Sequence, residues 1–234
     1  MAPSLRRERA LLRSGAVTVA GIDEVGRGSI AGPVSVGVVV VVAGTPTAPR
    51  GLNDSKLLSP ARREELLPRL RRWAFRWSVG SASSVEIDQW GIMTGLRLAA
   101  LRALAEVGPV DTAILDGSHD WLSGGDQDDL FLPTPASGMP EVTMRVKADQ
   151  SCSAVAAASV LAKVARDREM VELHQVDHRY DWAANKGYAS ATHTQALVRF
   201  GPSRHHRRSW QLPGCGPEAA TPFHTQATGF TAPN

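Results

Sequence analysis

The stretch Val34–Val42 is valine throughout except for Ser35 and Gly37, and no other feature restricts the fold so strongly. Such a run of β-branched residues reads as a buried strand, and it is far too short to cross a bilayer. A second valine-rich, alternating segment, Val17–Asp23, precedes it. Between them Gly26, Gly28 and Gly32-Pro33 force a tight turn or loop, so the two strands are expected to pair as a hairpin. A chain that opens this way has to build a sheet.

The remaining segments alternate in type. Thr45–Leu58 reads as loop, and Ser59-Pro60 as a helix start with serine capping and proline in the first turn. Pro68 is expected to limit or kink that helix. Phe75–Ser81 is a candidate strand. Ser84 is a candidate cap for a helix whose leucines 96, 98, 101 and 104 recur at helical spacing and which ends at Gly108-Pro109. Short strands are expected at Thr112–Leu115 and Val142–Val146, with a Gly-, Asp- and Pro-rich loop over 118–140 between them. Ser151–Leu173 reads as a long helix whose alanines and serines would let it approach a sheet closely. A further helix follows Ser190 to Phe200, and Met1–Gly15 reads as a short amphipathic lead-in helix. The pattern predicts an α/β fold, one domain over 1–210, and a disordered Pro/Gly/Thr-rich tail over 211–234.

Composition narrows the class further. With 43% hydrophobic residues a core can form without disulfides, and two cysteines at unrelated positions offer neither a disulfide framework nor a zinc site. The basic N-terminus lacks the apolar core of a secretory signal, so a cytoplasmic location is expected. Net charge is only +3, but basic residues cluster at Arg62, Arg63, Arg69, Arg71 and Arg72, and again at Arg204–Arg208. Such blocks suit phosphates; a solvated helix face explains the first one equally well.

Four acids occupy chemically suggestive places. Asp23 and Glu24 close the first strand, Asp116 closes a later one, and Asp149 lies between a strand and a helix. Carboxylates at the ends of neighbouring strands converge on the crevice where open α/β sheets place their sites. Gathered there they would repel one another and raise their own pKa values, and a divalent cation resolves that repulsion. An all-oxygen donor set favours magnesium or manganese over zinc. Neighbouring strand residues point to opposite faces, so Asp23 and Glu24 are expected to share a site through a bend at the following glycines. Each acid alone would be an ordinary strand-end or capping residue.

The surrounding motifs decide the matter. Gly21-Ile-Asp-Glu-Val-Gly-Arg-Gly28 with Ala31-Gly-Pro33, then Asn53-Asp-Ser-Lys56, then Ile114-Leu-Asp-Gly117 come in succession. Lys147-Ala-Asp149 with Ala156–Asp167 follows, and Lys186-Gly-Tyr188, His193 and His206–Trp210 close the series. In this order the chain resembles ribonuclease HII, the type 2 ribonuclease H family, over about residues 15 to 210. Ala189-Ser190 and Trp210 are small departures from its usual residues.

The resemblance implies a ribonuclease H-like fold, a central mixed sheet flanked by helices with a C-terminal helical part. It implies an endonuclease for RNA/DNA hybrids and ribonucleotide-containing duplex DNA, working as a monomer with no obligate protein partner. Two Mg2+ or Mn2+ ions would be held by Asp23, Glu24, Asp116 and Asp149, and the products would carry 3′-hydroxyl and 5′-phosphate ends. Gly26, Arg27, Gly28 and Tyr188 would meet the ribonucleotide, whose 2′-hydroxyl separates RNA from DNA. Lys56 and Lys163, with Arg204 and Arg207, are candidate phosphate contacts. A dinucleotide-binding glycine loop is disfavoured because a strand follows where a helix is needed. Other readings are a junction or transposon nuclease on the same fold, and a module that grips hybrids without cutting. Asp126, Asp128 and Asp129 read as loop acids, His174 and His178 as a solvated helix face, and His193 as a structural hydrogen-bonding residue.

Overall fold

Strand β1 (Val19–Val25) is the centre of a five-stranded sheet in the order β3-β2-β1-β4-β5. It runs antiparallel to β2 (Val34–Val41), which is antiparallel to β3 (Arg76–Ala82). On its other side β1 runs parallel to β4 (Thr112–Asp116), itself parallel to β5 (Glu141–Arg145). The protein is described by a computed structural model covering residues 2–123 and 138–215. Asp126, Asp128, Asp129 and the part of the expected tail after Cys215 lie outside the described residues.

The expected hairpin is present, with Val19 opposite Val41 and Val25 opposite Ser35. Every residue of β2 is buried because helices cover both faces of the sheet. Odd positions Val39 and Val41 pack with Val19 and Ile114 against helix α5 (Ser153–Val176). Even positions Val34, Val36, Val38 and Val40 pack with Ala20 and Ile22 against helix α3 (Ser84–Val107). A strand with two buried faces has no polar alternation, which is why it reads as an unbroken valine run.

Contact between α5 and the sheet is unusually close. A Cβ placed on Gly21 would stand 2.3 Å from the backbone of Ala154 and Val155, and one on Gly37 would stand 2.3 Å from the Ala158 carbonyl. Alanines 154, 156, 157 and 158 on α5 complete the seam. Gly80 does the same on the other face, 2.0 Å from the Ala99 carbonyl of α3.

Several boundaries differ from expectation. Pro68 sits inside α2 (Pro60–Trp73) without ending it. Ser83 rather than Ser84 caps α3, through a reciprocal pair with Glu86. That helix breaks at Gly91, whose φ is +80°. A four-residue turn, α4 (Ala148–Ser151), separates β5 from α5. After α5 come a 3-10 turn (His178–Tyr180), α6 (Trp182–Asn185) and α7 (Ala191–Phe200), which with Leu212 form a smaller core around Tyr180 and Trp182. Packed chain therefore continues past residue 210. The lead-in helix α1 (Arg6–Arg13) is tied to the body by Glu8, wholly buried, whose carboxylate accepts the Ala154 amide at 2.8 Å. No helix among the described residues is long and apolar enough to cross a membrane.

The seam makes a direct test available. Gly80→Ala should lower Tm by about 5 °C, since overpacking costs roughly 2 kcal/mol in a chain of this size. Gly44→Ala, where an added Cβ meets nothing within 4 Å, should leave Tm unchanged. Equal melting of the two variants would show that the close approach is not restrictive.

Candidate active site

Asp23 lies on the α5 face of β1, two residues beyond Gly21, and is 5% exposed. The close seat of α5 brings the Ser159 hydroxyl onto its carboxylate. Ser159 is held in turn by Ser55 at 2.8 Å. Burial raises the Asp23 pKa well above the usual carboxylate value, and the charges of Glu24, Asp116 and Asp149 push it the same way.

Glu24 is reached differently from the bend expected after Asp23. The β1–β2 register runs unbroken through Val25, so Asp23 and Glu24 leave the strand on opposite sides. They share a site because β4 stops pairing with β1 at Ile22–Leu115. Asp116, one residue further, stands at that open sheet end and raises the pKa of both acids. The Glu24 pKa is raised chiefly by burial, against the partial relief of Arg27 3.8 Å away.

Asp116 also starts the segment that carries the fourth acid. Its Oδ1 accepts the Ala148 amide at 2.7 Å, which fixes the first turn of α4. Lys147 precedes that turn in the left-handed region, with φ of 57°. Asp149 is 4% exposed, and burial with the charges of Asp116 and Asp54 raises its pKa to about 6.

Asp54 was not singled out from sequence, although it stands within the Asn53–Lys56 motif. It is 4% exposed, caps its own turn by accepting the Lys56 amide at 2.9 Å, and takes the Gln150 side-chain amide at 3.4 Å. Burial opposes the charge on Lys56, but Asp23, Asp54, Asp149 and Asp116 together outweigh it and raise the Lys56 pKa. Five carboxylates and one lysine thus occupy one crevice.

The donor set suits a hard divalent cation. All donors are oxygens, three of the acids are destabilised in their charged form, and Glu24 Oε2 is buried without any hydrogen-bond partner. Among the described residues no three His, Cys, Asp or Glu side chains are already gathered as a metal-holding group, so the acids sense one another without closing on one point. His174 and His178 pack edge to face, 4.8 Å between ring centres, and belong to no such group.

Beside the acids lies the Gly26–Pro33 loop. Gly26 has φ of +85°, and the space around Gly28 is open. Arg27 is half-exposed. The loop is joined to the Tyr188 segment, since the Gly187 carbonyl accepts the Ile30 and Ala31 amides at 2.9 and 3.2 Å. Tyr188 itself is 40% exposed. Behind it, His206 Nδ1 accepts the Ser203 amide at 2.9 Å, which leaves the proton on Nε2. That proton is donated to His193 Nε2 at 2.9 Å, so His193 Nδ1 donates to the Tyr188 carbonyl at 2.9 Å. His193 is therefore the structural residue expected, and it fixes the Tyr188 backbone.

Other expected contacts lie elsewhere. Lys163 pairs with Asp167 at 2.6 Å, which Arg63 also reaches at 3.5 Å. Arg207 is not a phosphate contact: it is wholly buried and spends its donors on backbone carbonyls. Arg204 remains exposed.

This sheet, with acids at the open ends of its parallel central strands, defines an α/β enzyme of ribonuclease H-like fold. The "Ribonuclease HII" family profile matches residues 20–212. A ribonuclease HII from Streptomyces griseus is 49% identical over 215 residues, covering 89% of this chain and 84% of its own. The chain belongs to the ribonuclease HII family and is a ribonuclease. Ribonuclease H2 from Pyrococcus horikoshii superposes with a TM-score of 0.65 at 26% identity, covering 87% of this chain and 97% of its own. Bst ribonuclease HIII in complex with Mn2+ is similar in fold, with a TM-score of 0.63 at 20% identity, over 91% of this chain and 71% of its own.

The raised Asp149 pKa has a measurable consequence. The folded protein holds this proton more tightly than the unfolded chain, so metal-free stability falls as pH rises from about 4 to about 6. In chelator at about pH 7.5, Asp149→Asn should melt a few °C above wild type, and the gap should narrow below about pH 6 and close toward about pH 4. A gap independent of pH would contradict this account.

Proposed function

We propose that this chain is an endonuclease that hydrolyses the RNA strand of RNA/DNA hybrids and cuts on the 5′ side of ribonucleotides embedded in duplex DNA. Asp23, Glu24, Asp116 and Asp149 would hold two divalent cations, magnesium or manganese. The observation that carries this reading is the crevice of mutually repelling, buried acids set directly beside an open glycine loop and an exposed tyrosine. When bound, the cations supply a strong nucleophile from water and neutralise the charge that builds on the leaving oxygen.

The protein's own contribution is placement. Ser159 orients the Asp23 carboxylate, and Asp116 orients α4 and with it Asp149. Lys56 balances the acids and presents a cation toward a phosphate on the same side. Gly26, Arg27 and Gly28 meet the sugar and phosphate of the ribonucleotide through backbone, and Tyr188 packs on the sugar or base while its hydroxyl senses the 2′-oxygen. Lys163 would reach a phosphate further along the duplex. Products carry a 3′-hydroxyl and a 5′-phosphate, and the enzyme works as a single chain, in the cytoplasm.

Incubation with a DNA duplex bearing one ribonucleotide tests the reading. Magnesium should give a single cut 5′ to that residue and chelator should abolish it. Asp23→Asn should lose activity by a factor of at least about 10³ while keeping its fold. A chain that binds the duplex but never cuts it would be a binding module instead. Tyr188→Ala should reduce kcat/KM about tenfold on the single-ribonucleotide duplex and less on a continuous hybrid. Unchanged kinetics on the first substrate would remove Tyr188 from the site.

A further inference from the structure

Two arginines, Arg166 from α5 and Arg207 near the C-terminus, lie wholly buried behind the Gly26–Pro33 loop. Among the described residues neither has a carboxylate within ion-pair distance. Their donors go to neutral oxygens. Arg207 donates through Nη2 to the Gly26 carbonyl at 2.6 Å and through Nη1 to the Arg27 carbonyl at 2.8 Å, with the Gly32 and Pro33 carbonyls at 3.2 to 3.3 Å. Arg166 donates to the Pro33 carbonyl at 2.8 Å, the Ser29 hydroxyl at 2.5 Å and the Lys186 carbonyl at 2.9 Å.

Peptide planarity turns these acceptors into a statement about donors. In a trans peptide the carbonyl and the following N–H point in opposite directions, and the described chain has no cis bond. With the Gly26 and Arg27 carbonyls drawn inward onto Arg207, the amides of Arg27 and Gly28 face outward. Among the described residues neither amide donates to a protein atom. A Cβ on Gly26 would stand 2.0 Å from Arg166 Nε, whereas one on Gly28 meets nothing within 4 Å. Gly26 is thus required by the arginines behind it, and Gly28 borders the open side.

Arg166 adds a second tie. It donates to the Lys186 carbonyl and its guanidinium carbon lies 5.7 Å from the Tyr188 ring centre, so the residue that braces the loop also braces the tyrosine. Holding two cations together is unfavourable: burial, then the charge of Arg166, push the Arg207 pKa down to about 9. The carboxylates of Asp88, Asp167 and Glu169 act on the pair only from beyond ion-pair distance, and the guanidinium donors are spent on the loop's own oxygens.

We propose that Arg166 and Arg207 are positioning residues for ribonucleotide selection, turning the Arg27 and Gly28 amides toward the substrate and locking Tyr188 beside them. This rests on the function proposed above. Arg207→Lys keeps the charge but loses the planar fork. It should lower kcat/KM on the single-ribonucleotide duplex by about 10- to 100-fold, with the magnesium concentration for half-maximal rate within about twofold of wild type and the melting profile still cooperative. A kcat/KM within about twofold of wild type, in a variant that cuts and folds, overturns the proposal and leaves the nuclease reading intact; a wild type that does not cut overturns the nuclease reading.

Should Arg207→Lys fail to fold, amide signals of the full-length Asp23→Asn protein decide. The Arg27 and Gly28 resonances should shift more with the single-ribonucleotide duplex than with its all-deoxy counterpart. Identical shifts for the two duplexes would overturn the proposal.

Discussion

The backbone-to-backbone seat of α5 on β1 and β2 is the contact on which the site depends. Gly21 and Gly37 leave no side chain between helix and sheet, and the alanines of α5 return the same economy of volume. At this distance the helix does more than cover the core. It carries Ser159 onto Asp23, begins directly after the turn that holds Asp149, and delivers Arg166, between three and four turns further along, to the loop beyond β1. One helix therefore spans the acidic crevice and the Gly26–Pro33 loop, so a displacement of it moves both.

The sheet itself solves the problem of bringing adjacent acids into one place. A regular strand sends Asp23 and Glu24 to opposite faces, and β1 stays regular. The shorter β4 leaves the end of β1 uncovered, so both faces open onto the same space and Asp116 stands at the opening. Strand length, not a bend, makes the site. The cost is visible in the raised pKa values of Asp23, Glu24 and Asp149, which store in the folded chain a preference for positive charge.

Much of this was legible in sequence because the signals were local or ordered. The valine run, the glycine-rich hairpin loop and the small face of α5 each follow from backbone sterics, and the acids followed from motifs in sequence order. What escaped depended on distance in space. Asp54 resembles any turn-capping aspartate until the chain places it against Asp149 and Gln150. Arg207 looks like one more member of a basic surface cluster, and only the loop folded over it shows that its donors face inward. The histidine pair behind Tyr188 joins residues 193 and 206, which no local periodicity relates.

The charge pattern across the Gly26–Pro33 loop completes the argument. On one side stand carboxylates whose charged form is disfavoured by burial and by one another; on the other stand two buried guanidiniums with no carboxylate within ion-pair distance among the described residues. Each set is costly alone, since buried like charges repel in a medium that screens them poorly. On the function proposed above, a phosphodiester lying over the loop with cations on its acidic side would relieve both at once. The fold thus keeps two costly charge sets a few residues apart, an arrangement that the proposed metal-assisted cleavage of a nucleic acid strand would use.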